Sequence, residues 1–480
     1  MLFSSLPFLL SFLPLFFIIY FVAKKRNVKN IILLIFSMIF YAWGEPFYII
    51  LMIFSILINH YFAVYINKNI ENIENTKNAK TLLIFAIIIN LALIGVFKYA
   101  GFFVNIFAGL FGVESVNINI PLPIGISFYT FQNLSYIIDV YHKKVKVQKN
   151  PLYFGAYVAA FPQLIAGPIV RYETIADELE NRVENMYDFA AGLRRFTAGL
   201  AKKVLIANNI ALMADGILTT TFNNGEIIAS VKDHGAIGAW LAIIAYTLQI
   251  YYDFSGYSDM AIGIGRMIGF HYPENFNYPY IAKSVTDFWR RWHISLSSFF
   301  RDYIYIPLGG NRVKTIRWIL NIVIVWGLTG LWHGAAWTFI LWGLYFGVLL
   351  IIEKNFLQNN ILKIPALNRI YAISAFVFGW IIFRAESVSH IGTILSTMFG
   401  GNGAGNMLEL AKNGLVNPMQ ILMIIVGIIC SMPVSVKLKK ILERNEKTVY
   451  IIDAASVIAL VLCVITLAQG AYNPFIYLRF

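Results

Sequence analysis

Apolar residues along this chain come in long, nearly uncharged runs, and the polar residues between them gather in short clusters. Runs of this kind are the pattern of bilayer-crossing helices, at ~20 residues per crossing. The pattern predicts helices over Ser4–Ala23, Ile31–Trp43, Phe47–Ile66 and Thr81–Phe97, with Gly44-Glu45-Pro46 as a tight turn. Pro121–Tyr141 is a further run, ending at Lys143. Basic clusters follow apolar runs directly: Lys24-Lys25-Arg26, Lys143-Lys144-Val145-Lys146 and Lys437-Leu438-Lys439-Lys440. Cytoplasmic loops carry such clusters, so the alternation of sides puts the N-terminus outside.

Other stretches depart from simple crossings. Gly101–Gly112 is short and flanked by glycine, the pattern of an interfacial or re-entrant segment. Leu152–Val170 is broken by Pro162, Gly167 and Pro168, and Arg171–Asp188, with both signs of charge, reads as a solvated or interfacial stretch. Ala190–Phe222 reads as a helix at the inner headgroup layer, with Arg194, Arg195, Lys202 and Lys203 on one face. Ala236–Tyr252 crosses again and runs into Asp253–Phe270, whose small residues suit close helix approach. Leu320–Gly343 is a full uncharged crossing with His333 near its middle. Later runs lie at Ile370–Phe383, Ile391–Phe399, Met419–Val434 and Tyr450–Leu467, the last after the basic loop Lys437–Lys447. The expected fold class is an all-α polytopic membrane protein with roughly 11–13 spans or half-spans.

Composition agrees: 59% of residues are apolar and only 13% charged, against roughly 25% charged in a soluble domain. One continuous bundle is expected over the 480 residues rather than separate soluble domains. The net charge of +13 sits in loops beside apolar runs, not in a separate basic module, which argues against nucleic acid. Cys430 and Cys463 lie inside apolar runs without a CxxC, and read as small core residues. The first run has no basic residue before it and no small-residue cleavage pattern after it, so it reads as a retained helix.

Candidate chemistry gathers between Trp289 and Trp342. A titratable side chain such as His333 at membrane depth is a functional-site hypothesis by default, the bland alternative being a structural hydrogen bond. Gly334, Ala335 and Ala336 leave room beside its ring, for a substrate or for close helix packing. His293 lies in the segment Trp289-Arg290-Arg291-Trp292-His293. If that segment is helical, Asp287 pairs with Arg290 or Arg291, and Trp289 and Ser297 flank His293 one turn each way. It is then either a headgroup-level belt helix or a place where Arg290, Arg291 and Arg301 receive an anionic group. Asp253, Ser255, Asp259 and Arg266 form a polar patch among small residues, read as a network holding helices together. His293 and Asp302 have no metal-ligand spacing.

FWRRWHISLSSFFRDYIYIPLGGNR (Phe288–Arg312) followed by LTGLWHGAAWTFILWG (Leu328–Gly343) resembles the membrane-bound O-acyltransferase superfamily, and within it the integral-membrane alginate O-acetyltransferase type. Pro121–Tyr141, Phe161–Arg171, Tyr251–Gly265, Asn275–Tyr280 and the C-terminal FIYLRF are similar to that type too. The resemblance covers nearly the whole chain. It implies one integral-membrane acyltransferase domain over residues 1–480, with N-terminal helices at 1–150, the catalytic core at 151–350 and C-terminal helices at 351–480. It also implies a ring of helices around a central funnel or tunnel. The family's catalytic histidine maps to His333 and its second motif histidine to His293. Trp289, Arg290, Arg291, Trp292, Trp332, Asp253 and Ser255 are the candidates for donor and substrate binding.

The implied reaction is acyl transfer from a cytoplasmic thioester, acetyl-CoA above others, to a hydroxyl of a cell-surface polysaccharide. His333 would be the general base, and His293 would orient the donor or stabilise the oxyanion. No bound cofactor or metal is needed. An extracytoplasmic esterase-like partner protein, a bacterial cytoplasmic membrane and an acceptor such as alginate, cellulose or peptidoglycan belong to the same implication. D-alanyl transfer to teichoic acid ranks below it. A proton-coupled permease using His333 with Asp253 and Asp259, and a non-catalytic scaffold, are the readings from other classes.

Overall fold

The computed structural model describes residues 1–72, 75–114, 120–223, 226–357, 361–434 and 446–476. The cluster at Lys437–Lys440 and the last four residues of FIYLRF lie outside them. Among the described residues, eight helices are long and apolar enough to cross a membrane, and Phe8–Val22 and Pro418–Cys430 are shorter apolar helices. The protein is therefore a polytopic, essentially all-helical membrane protein. The chain divides into two compact units, Met1–Phe196 with Tyr257–Glu274, and Thr197–Gly256 with Asn275–Phe480.

The first unit holds α1 (Leu13–Val22), α2 (Arg26–Gly44), α3 (Ile49–Glu71), α4 (Thr76–Ile94), α5 (Ala100–Leu110), α6 (Ile126–Tyr141), α7 (Pro151–Ala159), α8 (Phe161–Leu164), α9 (Tyr172–Asn181) and most of α10 (Met186–Ala201). α4 passes through a π-type turn at Gly95–Tyr99 into α5, so the segment expected to be re-entrant is the end of one long apolar helix. The helix expected to end at Phe97 continues through Gly101 without a break. The proline-broken stretch does break, after α8, and its Phe161 ring sits within 6.5 Å of Phe3, Phe8, Phe12, Phe16 and Phe40. The charged stretch after it is not simply solvated. Arg182 is buried, and Glu184 takes ion pairs from Arg26 at 2.5 Å and Lys29 at 3.0 Å. Burial alone would raise the Glu184 carboxyl; hydrogen bonds from Arg26, Lys29 and Tyr20 outweigh it and hold it at about 2.

Beyond α10 a π-type turn (Lys202–Ala207) leads into α11 (Asn208–Leu218). A short antiparallel hairpin follows, β1 (Thr221–Asn223) and β2 (Glu226–Ala229). This replaces the single headgroup-level helix expected over Ala190–Phe222. The β-branched run at Thr219–Thr221 and the Asn-Asn-Gly after Phe222 favour a hairpin. Arg195 pairs with Asp259 at 2.9 Å, and Lys203, on the π turn, is buried rather than at a headgroup layer.

α12 (Gly235–Met267) is one continuous helix. Its small residues do allow close approach: a side chain on Gly256 would sit 2.7 Å from the Gly199 carbonyl oxygen, and one on Gly263 2.7 Å from that of Gly192. The second unit continues with α13 (Val285–Arg291), α14 (Ile294–Phe300), α15 (Thr315–His333), α16 (Trp337–Ile352), α17 (Pro365–Arg384), α18 (Val388–Met398), α19 (Met407–Lys412), α20 (Pro418–Cys430) and α21 (Glu446–Ala468). Cys430 is exposed at the end of α20 rather than in a core; Cys463 is buried.

Candidate active site

α15 does not run through to Gly343. It ends at His333, Gly334 and Ala336 are extended, and α16 folds straight back. His333 thus stands at the turn of a helical hairpin, not in the middle of a crossing. Two glycines permit the fold. A side chain on Gly330 would meet the Phe339 carbonyl oxygen at 2.3 Å, and one on Gly343 would meet that of Trp326 at 2.2 Å. Gly334 is needed as well, because a side chain there would lie 2.3 Å from the Phe339 ring. Of the two uses expected for the small residues beside His333, packing takes the space at Gly334, while Ala336 lines a cavity. The imidazole is 2% exposed, in contact with the rings of Trp342 at 4.8 Å, Trp332 at 4.9 Å and Phe383 at 5.2 Å. Trp342 Nε1 is buried, with no hydrogen-bond acceptor among the described residues.

His293 is built differently. α13 is capped by Ser284, whose side chain accepts from the Asp287 N–H, and Glu353 accepts from the Val285 and Thr286 N–H groups at 2.7 and 3.1 Å. The helix stops at Arg291, and His293 has a left-handed backbone, φ 44° and ψ 54°. That conformation is uncommon for a residue with a Cβ and concentrates at functional sites. WRRWH is consequently a helix end and a kink. Asp287 does pair with Arg291, at 2.8 Å, but the kink takes Trp289 and His293 off a common face.

Asn275 holds the kink. Its backbone carbonyl accepts from the Ile294 N–H at 3.0 Å. Its Oδ1 accepts from the Ser295 N–H at 3.2 Å and the Ser295 hydroxyl at 2.8 Å, and lies 3.1 Å from His293 Nδ1. The Ser295 N–H can only donate, which identifies that atom as the amide oxygen. His293 Nδ1 must then donate to it, leaving the lone pair on Nε2. Burial drives the imidazole down to about 3, so His293 is neutral. Its ring meets Phe254 at 4.7 Å and Trp332 at 5.8 Å. Trp332 is therefore a shared neighbour of the two histidines, which lie 40 residues apart in the sequence.

The other expected residues spread around this centre. Trp289 packs on Trp326 and Phe346, and Trp292 on Trp380 and Phe276. Arg290 is exposed and lines a cavity of about 830 Å³ with Lys283, Asp287, Trp318, Glu353 and Lys354. Arg291 and Arg301 are taken up by Asp287 and Asp302. Asp253 is buried and pairs with Lys203, and Ser255 is buried nearby in sequence; neither makes one of the ring contacts to the histidines described above. A second cavity, of about 240 Å³, lies at the opposite end of the α15–α16 hairpin, lined by Ala336, Thr338, Phe339, Phe383, Arg384 and Gln249 among others. Phe383 connects it to His333. Asn275 and this cavity were not singled out from the sequence, and Trp342 was placed beside His333 without a role of its own. Asn275 opens the stretch Asn275–Tyr280 named above, but its role depends on contacts 18 and 20 residues away.

Residues 146–392 match the family model of the membrane-bound O-acyltransferase family. The chain is 43% identical to the probable alginate O-acetylase AlgI of Azotobacter vinelandii, over 83% of this chain and 78% of the relative. It is 35% identical to the peptidoglycan O-acetyltransferase of Helicobacter pylori, over 86% of this chain and 82% of the relative. It is 31% identical to the teichoic acid D-alanyltransferase of Bacillus subtilis, over 56% of this chain and 70% of the relative.

Proposed function

From the premise that this chain belongs to the membrane-bound O-acyltransferase family and is an O-acyltransferase, we propose that it moves an acetyl group from a cytoplasmic thioester, acetyl-CoA above others, to hydroxyls of a cell-surface polysaccharide. The permease and scaffold readings are set aside by that premise. The observation carrying the proposal is the pair of buried imidazoles on one indole, His293 and His333 beside Trp332.

In the proposed step the acceptor oxygen attacks the thioester carbonyl as His333 takes its proton. The new C–O bond forms, the C–S bond breaks, and the thiol leaves with a proton. Neutral His293, its Nδ1–H given to Asn275, offers an acceptor at Nε2 and so suits orienting a donor or acceptor group better than hydrogen-bonding an oxyanion. The buried Trp342 N–H, on a ring 4.8 Å from His333, is the better oxyanion donor. Arg290, with Lys283 and Lys354, would receive the donor's anionic groups in the larger cavity. Trp289, Trp292 and Trp332 would shape the wall around the reacting groups. Asp253 and Ser255 would act from behind it.

The two cavities support transfer across a membrane. Trp318 lines one and Ala336 the other, 18 residues along the hairpin or ~27 Å at ~1.5 Å per residue. That is close to the ~30 Å of a hydrocarbon core. The basic loops support a bacterial cytoplasmic membrane with the N-terminus outside, and an esterase-like protein outside would complete delivery. Acetyl transfer ranks above D-alanyl transfer because the acetyl-transferring relatives match over a larger share of the chain. Between acceptors, alginate-like polymers rank above peptidoglycan on identity.

The test compares label passing from acetyl-CoA to surface polymer in cells carrying the native protein or His333→Ala at matched protein levels. Label lost in the variant alone, by about 10²–10⁴-fold, is expected. Equal labelling in both removes His333 from the chemistry. Label absent from both, with D-alanine transferred instead, turns the reading to the D-alanyl alternative.

A further inference from the structure

A buried ion pair behind the histidine centre takes no direct part in the chemistry above. Lys203, on the π turn after α10, and Asp253, in α12, are each 2% exposed in the side chain and meet at 2.7 Å. A buried pair of this kind is stable only when its remaining donors and acceptors are filled. Asn208 Oδ1 accepts from Lys203 Nζ at 2.8 Å. The other partners come from one short stretch near the C-terminus. The Pro474 carbonyl accepts from Lys203, and the Ile476 N–H donates to Asp253 Oδ2 at 2.8 Å. Two further bonds hold the same stretch: Asn208 Nδ2 to Asn473 Oδ1 at 3.1 Å, and the Tyr472 hydroxyl to Asp215 Oδ2 at 3.0 Å.

That stretch is also a wall. Pro474, Phe475 and Ile476 line the cavity of about 240 Å³ whose other sides include Ala336, Thr338 and Phe383, next to the His333 turn. Residues 472–475 contain no helix or strand, so the position of this stretch depends on these side-chain bonds rather than on a backbone ladder. We propose that Lys203 and Asp253 are positioning residues: their ion pair clasps residues 472–476 as the movable wall of this cavity and so sets access to the His333 turn. The meaning for turnover rests on the acyl-transfer reading; the clasp itself does not.

The experiment reads access directly. Thr338→Cys in a Cys430→Ser background puts a thiol on the cavity lining, and its rate of maleimide labelling is measured in purified protein. Lys203→Met with Asp253→Leu removes both charges together, leaving neither unpaired. Labelling at least 10-fold faster, at an unchanged melting temperature, is expected. Asn473→Ala, which spares the ion pair and removes one bond to the wall, should give a smaller acceleration in the same direction. An unchanged labelling rate in the folded double variant overturns the proposal. Should the double variant not fold, an unchanged rate in Asn473→Ala overturns it. A loss of acetyl transfer by His333→Ala bears only on the enzymatic reading, so the two failures are separable.

Discussion

The turns carrying His293 and His333 solve one problem in opposite ways. At His293 a polar residue does the work: Asn275 binds the ring and the next residues, and the backbone takes a left-handed kink to comply. At His333 the ring is held by aromatic faces, and the backbone is made possible by missing side chains at Gly330, Gly334 and Gly343. The first histidine has its tautomer fixed by a directional partner. The second is packed among aromatic rings at a turn that three glycines allow. In the proposed reaction the group whose proton moves has the second arrangement, and the group that orients a neighbour has the first.

The largest effect should come from attacking shape. Gly343→Leu drives a side chain into the Trp326 carbonyl, and overpacking against backbone cannot be relieved by a rotamer change. Loss of the monodisperse peak in detergent gel filtration is expected, whereas Gly327→Ala, with nothing within 4 Å, should leave the peak intact. An intact peak for Gly343→Leu would refute the hairpin packing.

Next comes the polar device. Asn275→Leu leaves the buried His293 N–H without its acceptor, and about 10–100-fold slower acetyl transfer is expected, by analogy with the hydrogen-bond partners that orient metal-ligating histidines. Asn275→Asp restores an acceptor with charge, raises the His293 pKa, and should move the acid limb of the pH–rate profile upward. A profile that stays put in Asn275→Asp would break the link between the amide and the imidazole.

The smallest effect is in stability against pH. His293 is held at about 3 in the folded chain and titrates near ~6.5 unfolded. Below ~6.5 the unfolded chain binds a proton that the folded chain does not, so stability falls with falling pH by about 1.4 kcal/mol per pH unit. Glu184, depressed to about 2, contributes stability above ~4.3 that is lost only as pH falls from there. Melting temperatures between pH 7 and 5 should therefore flatten in His293→Phe and keep their slope in Glu184→Gln. The reverse pattern would assign the acid sensitivity to the wrong group.

Much of this was legible in the chain. Long uncharged runs identify the crossings, and WRRWH and WHGAAW mark the two histidines. The sequence did not reveal the turn at His333, because Gly-Ala-Ala is equally at home inside a membrane helix. The break is imposed by α16 lying against Gly330, which is a tertiary fact. Lys203 reads as a headgroup cation for a similar reason: the carboxylate that allows its burial lies 50 residues further on. Asn275 is one polar residue among many until His293 and Ser295 fold back on it.

The clasp has a consequence for how the protein is made. Ile476 lies 223 residues beyond Asp253 in the chain. During synthesis at ~5–20 residues per second, Asp253 emerges roughly 10–45 s before the amide that completes its shell. For that interval the membrane must house a charged pair whose last partners do not yet exist, so insertion of α12 requires either a temporary stand-in from the insertion machinery or water that is expelled only when residues 472–476 arrive.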